Sequence, residues 1–217
     1  LKGKPFYVLI NNFTASAGEA FAYDVQQFKL GELIGVKTVG AANNNRLLPV
    51  APNFILSVSY GRPVHPVSQS NWEGAGVAPD VETPSAQALD LAQVRALDRL
   101  TADAKAPEAR AEYAWAKTGV EARLHPVTLA SSALVALAGR YDKPGVGPGP
   151  GPIEIAYRED ALWLVRPGRP TARLSPLTQD GLFTIEGTDF MRAKLDGKTL
   201  ELHWHDDPAP RIYLREQ

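Results

Sequence analysis

The chain has 217 residues, of which 44% are hydrophobic and 22% are charged, with a formal net charge of −1. This composition is ordinary for a globular protein, and the near-neutral charge excludes the basic surface by which proteins bind nucleic acid. The sequence lacks both cysteine and an apolar run long enough to cross a bilayer, which excludes disulfides, thiolate metal sites and an integral membrane segment.

The N-terminal part predicts an α/β arrangement. Phe6–Ile10 is a continuous apolar run and predicts a strand buried on both faces, as in a parallel sheet. A helix is predicted from Ser16 to about Lys29, ended by Gly31, and a second strand over Glu32–Val36. Strand, helix and strand in this order predict a parallel βαβ unit. The expected buried stripe of the helix consists of Ala17, Ala20, Phe21 and Val25.

The next segment predicts a hairpin between two loops. Small and polar residues make Val39–Arg46 a loop, and LLPV and FILSVSY follow as strands joined by residues 51–53. Alternation in the second strand suggests one polar face. Turn-forming residues make Ser68–Pro79 another loop.

Helices and then short strands are predicted in the second half. A helical pattern over Ser85–Gly119 breaks around Pro107 and resumes to about Lys117, and Thr128–Ala138 predicts a short helix. Lys143–Pro152 is rich in Pro and Gly and predicts a loop or linker. From Ile153 onward, short strands separated by turns predict an antiparallel meander bent into a small barrel or sandwich.

Ser16 follows the first predicted strand and precedes the first predicted helix. With Glu19 it forms an S-x-x-E capping box, which explains a serine at this position without any catalysis. The carboxyl end of a parallel strand is nevertheless where α/β folds bind ligands, and unpaired N–H groups at a helix N-terminus suit an oxyanion. Both interpretations are compatible, because Glu19 can cap the first turn while Ser16 acts as a nucleophile.

Four segments together resemble peptidase family S41, the tail-specific or C-terminal processing proteases, over roughly Lys4 to Leu91. They are Thr14-x-Ser16-Ala17-x-Glu19-x-Phe21, GVKTVGAAN over residues 35–43, FILSVSYGR over residues 54–62, and NWEGAGVAPDV over residues 71–81. The resemblance implies a crotonase- or ClpP-like βαβ half-domain and a serine endopeptidase. We therefore expect an α/β plus all-β fold, divided into the C-terminal half of a catalytic domain (1–84), a helical connector (85–138) and a small antiparallel β module (139–217).

The resemblance also implies roles for individual residues. Alignment on Thr38 and Gly40 puts Ala41 where one branch of the family has the lysine of a Ser-Lys dyad, so we reject the dyad. The chain is more similar to the branch of tricorn core protease and interphotoreceptor retinoid-binding protein, in which an upstream histidine is the base. This likeness assigns Ser16 and Glu73 as catalytic residues, the Ala17 N–H as oxyanion donor, and three supporting residues, Thr14, Glu19 and Asn71.

In that branch the histidine and a Gly-rich oxyanion segment lie upstream of the serine strand. The sequence starts at Leu1 with neither a start methionine nor a signal-peptide pattern, so we expect a C-terminal fragment that hydrolyses nothing alone and whose missing N-terminal part supplies the base. His65 is expected to be structural. His203 and His205, with Asp206 and Asp207 nearby, are a weak zinc pattern, so we expect no metal and no cofactor.

The expected partners are a peptide or protein substrate, the missing part of the same polypeptide and, in a homo-oligomer, a second copy, with no nucleic acid. Family resemblance suggests an exported or periplasmic location. The β module resembles the lipocalin-like domains attached to S41 and β-lactamase-like hydrolases; its aromatic residues, such as Phe183 and Phe190, are expected in its core. Two alternatives stay open: a non-catalytic module that binds hydrophobic ligands, and a β module that acts in docking or specificity.

Overall fold

The computed structural model describes residues 4–143 and 152–216. The chain forms two compact units, Leu1–Arg99 and Leu100–Gln217. Mixed helices and sheets followed by an all-β barrel confirm the α/β plus all-β class, whereas the crotonase-like half-domain and the three-part division stay predictions. The predicted linker falls on residues 144–151, outside the described residues. Within the described ranges, no helix is long and apolar enough to span a membrane.

A three-stranded parallel sheet organises the first unit. Its strands are β1 (Tyr7–Ile10), β2 (Glu32–Gly35) and β5 (Val81–Glu82), with β2 in the centre. Helix α1 (Ala17–Gln27) connects β1 to β2 as predicted and packs on one face of the sheet. The start of helix α2 (Ala88–Asp103) packs on the other face, against Ile34. This arrangement places the β1–α1 junction at the carboxyl edge of the sheet.

Burial in this unit differs from two predictions. The β1 strand is not buried on both faces, because Leu9 is 43% exposed. On α1, Phe21 is 53% exposed while Glu19 is fully buried together with Ala22 and Val25. The hydrophobic stripe was therefore misplaced, since the helix turns a carboxylate toward the protein interior.

The C-terminus of α1 ends differently from the prediction. Lys29, not Gly31, has the left-handed conformation, with φ 53°. The N–H groups of Lys29 and Leu30 donate to the carbonyls of Gln26 and Val25, which is the Schellman pattern. Gly31 is needed for another reason: a Cβ there would lie 2.4 Å from the carbonyl oxygen of Phe6.

Two strands form the predicted hairpin. They are β3 (Asn44–Ala51) and β4 (Phe54–Gly61), which pair antiparallel, so β3 begins inside the segment predicted as a loop. Almost every residue of both strands is exposed, including Leu47, Ile55 and Tyr60, and the expected division into an apolar and a polar face has no counterpart in burial. The predicted loop over Ser68–Pro79 is present.

The helices between sheet and barrel follow the sequence signals closely. After a 3₁₀ turn at Ser85–Gln87, α2 ends at Asp103 and α3 (Pro107–Leu124) starts with its proline in the first turn, so the predicted break is confirmed. The α3 helix continues beyond Lys117 to Leu124. A short helix, α4 (Ser131–Leu137), follows.

The remaining strands form a closed eight-stranded antiparallel barrel in which β13 returns to pair with β6. The meander is therefore a barrel rather than a sandwich. Its strands are β6 (Gly139–Asp142), β7 (Ile153–Arg158), β8 (Ala161–Val165), β9 (Ala172–Pro176), β10 (Leu182–Ile185), β11 (Thr188–Leu195), β12 (Thr199–Trp204) and β13 (Asp207–Arg215).

Side chains fill the barrel interior. Tyr141 and Phe183 are fully buried there among aliphatic residues of strands β7 to β12. The Tyr141 hydroxyl donates to the carbonyl of Leu137 at 2.7 Å. Phe190 was expected in this core but is 54% exposed, because it lies next to Met191, which points inward, and neighbouring strand residues face opposite sides.

Candidate active site

Ser16 lies in a turn between β1 and α1 with a backbone conformation that L-residues rarely adopt. Its φ is 52° and its ψ is −118°. The Gly18 N–H donates to the Ala15 carbonyl at 3.0 Å, which closes a four-residue turn with Ser16 at its first central position. These angles are those of a type II′ turn, where this position normally holds glycine. Ser16 is exposed, so the turn presents its side chain to solvent.

The helix N-terminus begins directly after this serine. Ala17 is the first helical residue, so its N–H has no partner inside the helix. Ala15, Ala17 and Gly18 are exposed as well, which leaves the backbone around Ser16 accessible. The positive end of the helix dipole and a free N–H therefore lie beside the serine.

Thr14 fixes the loop that precedes the turn. Its Oγ1 accepts from the Asn11 N–H at 3.1 Å, and the Asn11 side-chain oxygen accepts from the N–H groups of Phe13 and Thr14. The Thr14 carbonyl accepts from the Val39 N–H at 3.1 Å. Thr14 thus connects the serine loop to the loop after β2.

Glu19 is the most highly coordinated side chain near the serine. Its Oε2 accepts from the N–H groups of Ser16 at 2.9 Å and Ala41 at 2.8 Å, and its Oε1 accepts from Thr38 Oγ1 at 2.6 Å and the Gly40 N–H at 2.5 Å. Burial acts to raise the pKa of this carboxyl, but these four hydrogen bonds outweigh it and the pKa is lowered. The side chain therefore remains ionised in the interior.

Glu73 holds the next part of the same loop. Its Oε2 accepts from the N–H groups of Ala42 at 2.6 Å and Asn43 at 2.7 Å. The carboxylate is exposed, unlike that of Glu19. Four successive N–H groups, from Gly40 to Asn43, therefore point at two carboxylates, two at each.

Asn71 sets the position of the Glu73 loop. Its Oδ1 accepts from the Glu73 N–H at 3.1 Å, and its Nδ2 donates to Asn43 Oδ1 at 3.2 Å and to the Pro63 carbonyl at 2.9 Å. The structure thus links Ser16 and Glu73 to one loop, residues 38–43, from two sides. Whether both side chains meet in one cleft stays a prediction.

The one histidine of the first unit is occupied elsewhere. His65 is 6% exposed, and its Nδ1 accepts from the Val67 N–H at 3.2 Å, so in this arrangement Nδ1 carries no proton. Its Nε2 lies 3.3 Å from Asp24 Oδ1, too poorly aligned for a hydrogen bond, and its ring packs on Phe28 with centroids 4.8 Å apart. This environment is that of a packed structural side chain.

Ala41 carries no basic group, and its N–H donates to Glu19. In the barrel unit His203 lies 2.9 Å from Glu201 and His205 lies 3.5 Å from Asp206. Among residues 4–143 and 152–216, no three histidine or acidic side chains are grouped as metal ligands.

The sequence predicted only one of the four hydrogen bonds that Glu19 accepts. The S-x-x-E pattern predicted only the local bond to Ser16, whereas three of the four bonds reach residues beyond β2. The roles of Asn11 and Thr38 were not predicted either. Asn11 directly after a strand, three residues before Thr14, was a usable signal for an Asx turn.

Comparison with known proteins shows what the first 83 residues are similar to. Residues 1–83 match the family model of Peptidase family S41, so the resemblance to that family is confirmed for this segment. A solved structure of a photosystem II D1 C-terminal processing protease is also similar, with 26% sequence identity and a TM-score of 0.33. The likeness covers 38% of this chain and 21% of that protease, so this chain spans only a small part of the protease's length.

Proposed function

We propose that the first unit is the nucleophile-bearing part of a serine endopeptidase, and that Ser16 attacks a peptide carbonyl to form an acyl-enzyme. One observation carries this proposal: an exposed serine occupies a turn position suited to glycine, between a parallel strand and a helix. Such strain costs about 1–3 kcal/mol and persists where the surroundings enforce it. The nucleophile elbow of serine hydrolases has the same strand–turn–helix setting.

The Ala17 N–H is the proposed oxyanion donor. It adjoins the nucleophile and has no acceptor inside the helix, so it can donate to the oxygen that becomes negative in the tetrahedral intermediate. The helix dipole favours the same charge. Glu19 would keep this donor in place, because it binds the Ser16 N–H on one side and the loop after β2 on the other.

The proposed general base lies in a part of the polypeptide outside this sequence. His65, the one histidine in residues 1–99, is buried with both ring nitrogens facing other groups. Within the described residues, Glu73 Oε1 accepts no hydrogen bond, whereas Oε2 accepts from two backbone N–H groups. Oε1 is thus suited to orient an incoming imidazole. The 217-residue chain alone is accordingly expected to hydrolyse nothing.

A fluorophosphonate probe on the full-length protein tests the proposal. We expect labelling that Ser16→Ala abolishes, and that Ser57→Ala, a matched change of an exposed serine on β4, leaves unchanged. Glu73→Gln should slow labelling by about 100-fold, which is the lower end of the rate contribution of general acid–base catalysis, because Glu73 acts through the base. Labelling that survives Ser16→Ala would refute the assignment. Complete absence of labelling would favour the hydrophobic-ligand alternative.

A further inference from the structure

Arg192 in the barrel unit is a buried guanidinium on the outer face of a strand. Its neighbours Met191 and Ala193 point into the core, so Arg192 points outward, yet it is only 7% exposed because α3 covers it. Its Cζ lies 4.0 Å from the ring centroid of Trp115, and its Nη2 donates to the Trp115 carbonyl at 2.5 Å.

No carboxylate among the described residues pairs with Arg192, although acids lie nearby. Asp180 is bound by Lys194 and Thr178, and Glu201 pairs with His203 at 2.9 Å. A single one of the five guanidinium N–H donors has an acceptor within the described ranges. Buried charges are normally paired, and burial lowers the pKa of Arg192 to about 10. The guanidinium thus carries a charge that Trp115 stabilises but that no carboxylate of the described residues neutralises.

This guanidinium opens onto a cleft of about 500 Å³. Two ion pairs line the same cleft, Lys194 with Asp180 and His203 with Glu201, while Ala111 and Leu182 add an apolar side. Arg192 pairs with His203 across strands β11 and β12, so the basic groups share one face. The volume is that of a small-molecule site, and among the described residues Arg192 is the charged group of the lining that has no oppositely charged partner.

We propose that this cleft binds a small organic oxyanion, either a carboxylate or a phosphate monoester. Two of its oxygens accept hydrogen bonds from the Arg192 fork, and its apolar body rests against Ala111 and Leu182. Arginine is suited to this because its planar fork matches two oxygens at once. The site is independent of the serine turn, so it stands or falls separately from the proposed peptidase function.

Calorimetric titration of the 217-residue chain tests the site with two probes, benzoate and phenyl phosphate, at constant chloride ionic strength. We expect saturable one-to-one binding that Arg192→Lys weakens at least tenfold, because an ammonium group cannot reproduce the fork. The matched control is Arg211→Lys. Arg211 also stacks on a tryptophan, with its Cζ 4.4 Å from the Trp204 centroid, but lies outside the cleft and should leave affinity unchanged.

A second variant protects the test against misfolding of Arg192→Lys. Lys194→Gln removes a cleft cation at a partly exposed position, leaves Asp180 unpaired, and should weaken binding several-fold. Binding of one probe only supports the site and identifies which oxyanion it prefers. No saturable binding of either probe, or equal affinities for the Arg192 and Arg211 variants, would overturn the proposal. If circular dichroism shows that Arg192→Lys is unfolded, an unchanged affinity in Lys194→Gln would overturn it instead.

Discussion

Replacing Glu19 by glutamine is the most direct test of how the serine turn is held. Each carboxylate oxygen accepts two hydrogen bonds, from Thr38 and Gly40 on Oε1 and from Ser16 and Ala41 on Oε2. An amide nitrogen is a donor, so one pair of donors must lose its acceptor. We expect the amide nitrogen to replace Oε1, because this position costs less. The Thr38 hydroxyl can rotate to a new orientation there, so only the fixed Gly40 N–H loses its acceptor.

The expected loss of stability follows from these contacts. An orphaned buried N–H costs about 1–3 kcal/mol, and the remaining bonds lose the strengthening that a charged acceptor gives them. Together these terms give about 3 kcal/mol for Glu19→Gln. Glu73→Gln is the matched control: Oε2 alone accepts both N–H groups, so the amide nitrogen can take the exposed Oε1 position at a cost below about 1 kcal/mol.

Hydrogen–deuterium exchange read on α1 peptides measures this effect without a contribution from the barrel unit. Slowly exchanging amides of α1 report the free energy of opening of the first unit. We expect Glu19→Gln to accelerate their exchange by roughly 100-fold, the equivalent of about 3 kcal/mol, and Glu73→Gln to change it by less than about fivefold. Equal effects of the two variants, or a negligible effect of Glu19→Gln, would refute the assignment of Glu19 as the central support.

Three further predictions rest on single residues. Ser16→Gly should stabilise the chain by about 1 kcal/mol relative to Ser16→Ala, because glycine relieves the positive φ while both variants lose the nucleophile; thermal unfolding checks this, and equal stability would contradict the strain. Lys29→Gly should likewise stabilise by about 1 kcal/mol, whereas Gly31→Ala should destabilise through its clash with the Phe6 carbonyl, so the two changes have opposite signs in urea unfolding. The pKa of Glu19 is lower in the folded protein than in the unfolded chain. The stability that ionised Glu19 contributes is therefore fully present above the unfolded pKa and is lost as pH falls through the folded pKa. Glu19→Gln should accordingly reduce the fall in the free energy of unfolding at acidic pH.

Local signals predicted the parts of the fold that depend on local interactions. The strand–helix–strand order, the hairpin and the helix break at Pro107 each follow from residue patterns within a few positions. The burial of Glu19 could not be predicted this way, because Thr38, Gly40 and Ala41 lie 19 to 22 residues further along the chain. A helix stripe defined by apolar residues alone assigns a carboxylate to solvent.

Closure of the barrel was equally beyond the sequence pattern. Short alternating strands suit a barrel and a sandwich alike, and the choice depends on the pairing of β13 with β6. At the candidate site, the assignment of Ser16 and Glu73 as catalytic residues came from the resemblance to family S41. The positive φ of Ser16 could be observed only in the structure, because a serine before a helix usually signals an ordinary cap.

The hairpin of β3 and β4 and the closed barrel differ in how they meet neighbouring molecules. Every barrel strand has partners on both sides, so its backbone offers nothing for an additional strand. Among residues 4–143 and 152–216, the hairpin pairs only with itself, and it carries exposed Leu47, Phe54 and Ile55 beside two open edges. In concentrated solution, association of this chain through added strands is consequently expected to begin at residues 44–61 rather than at the barrel strands.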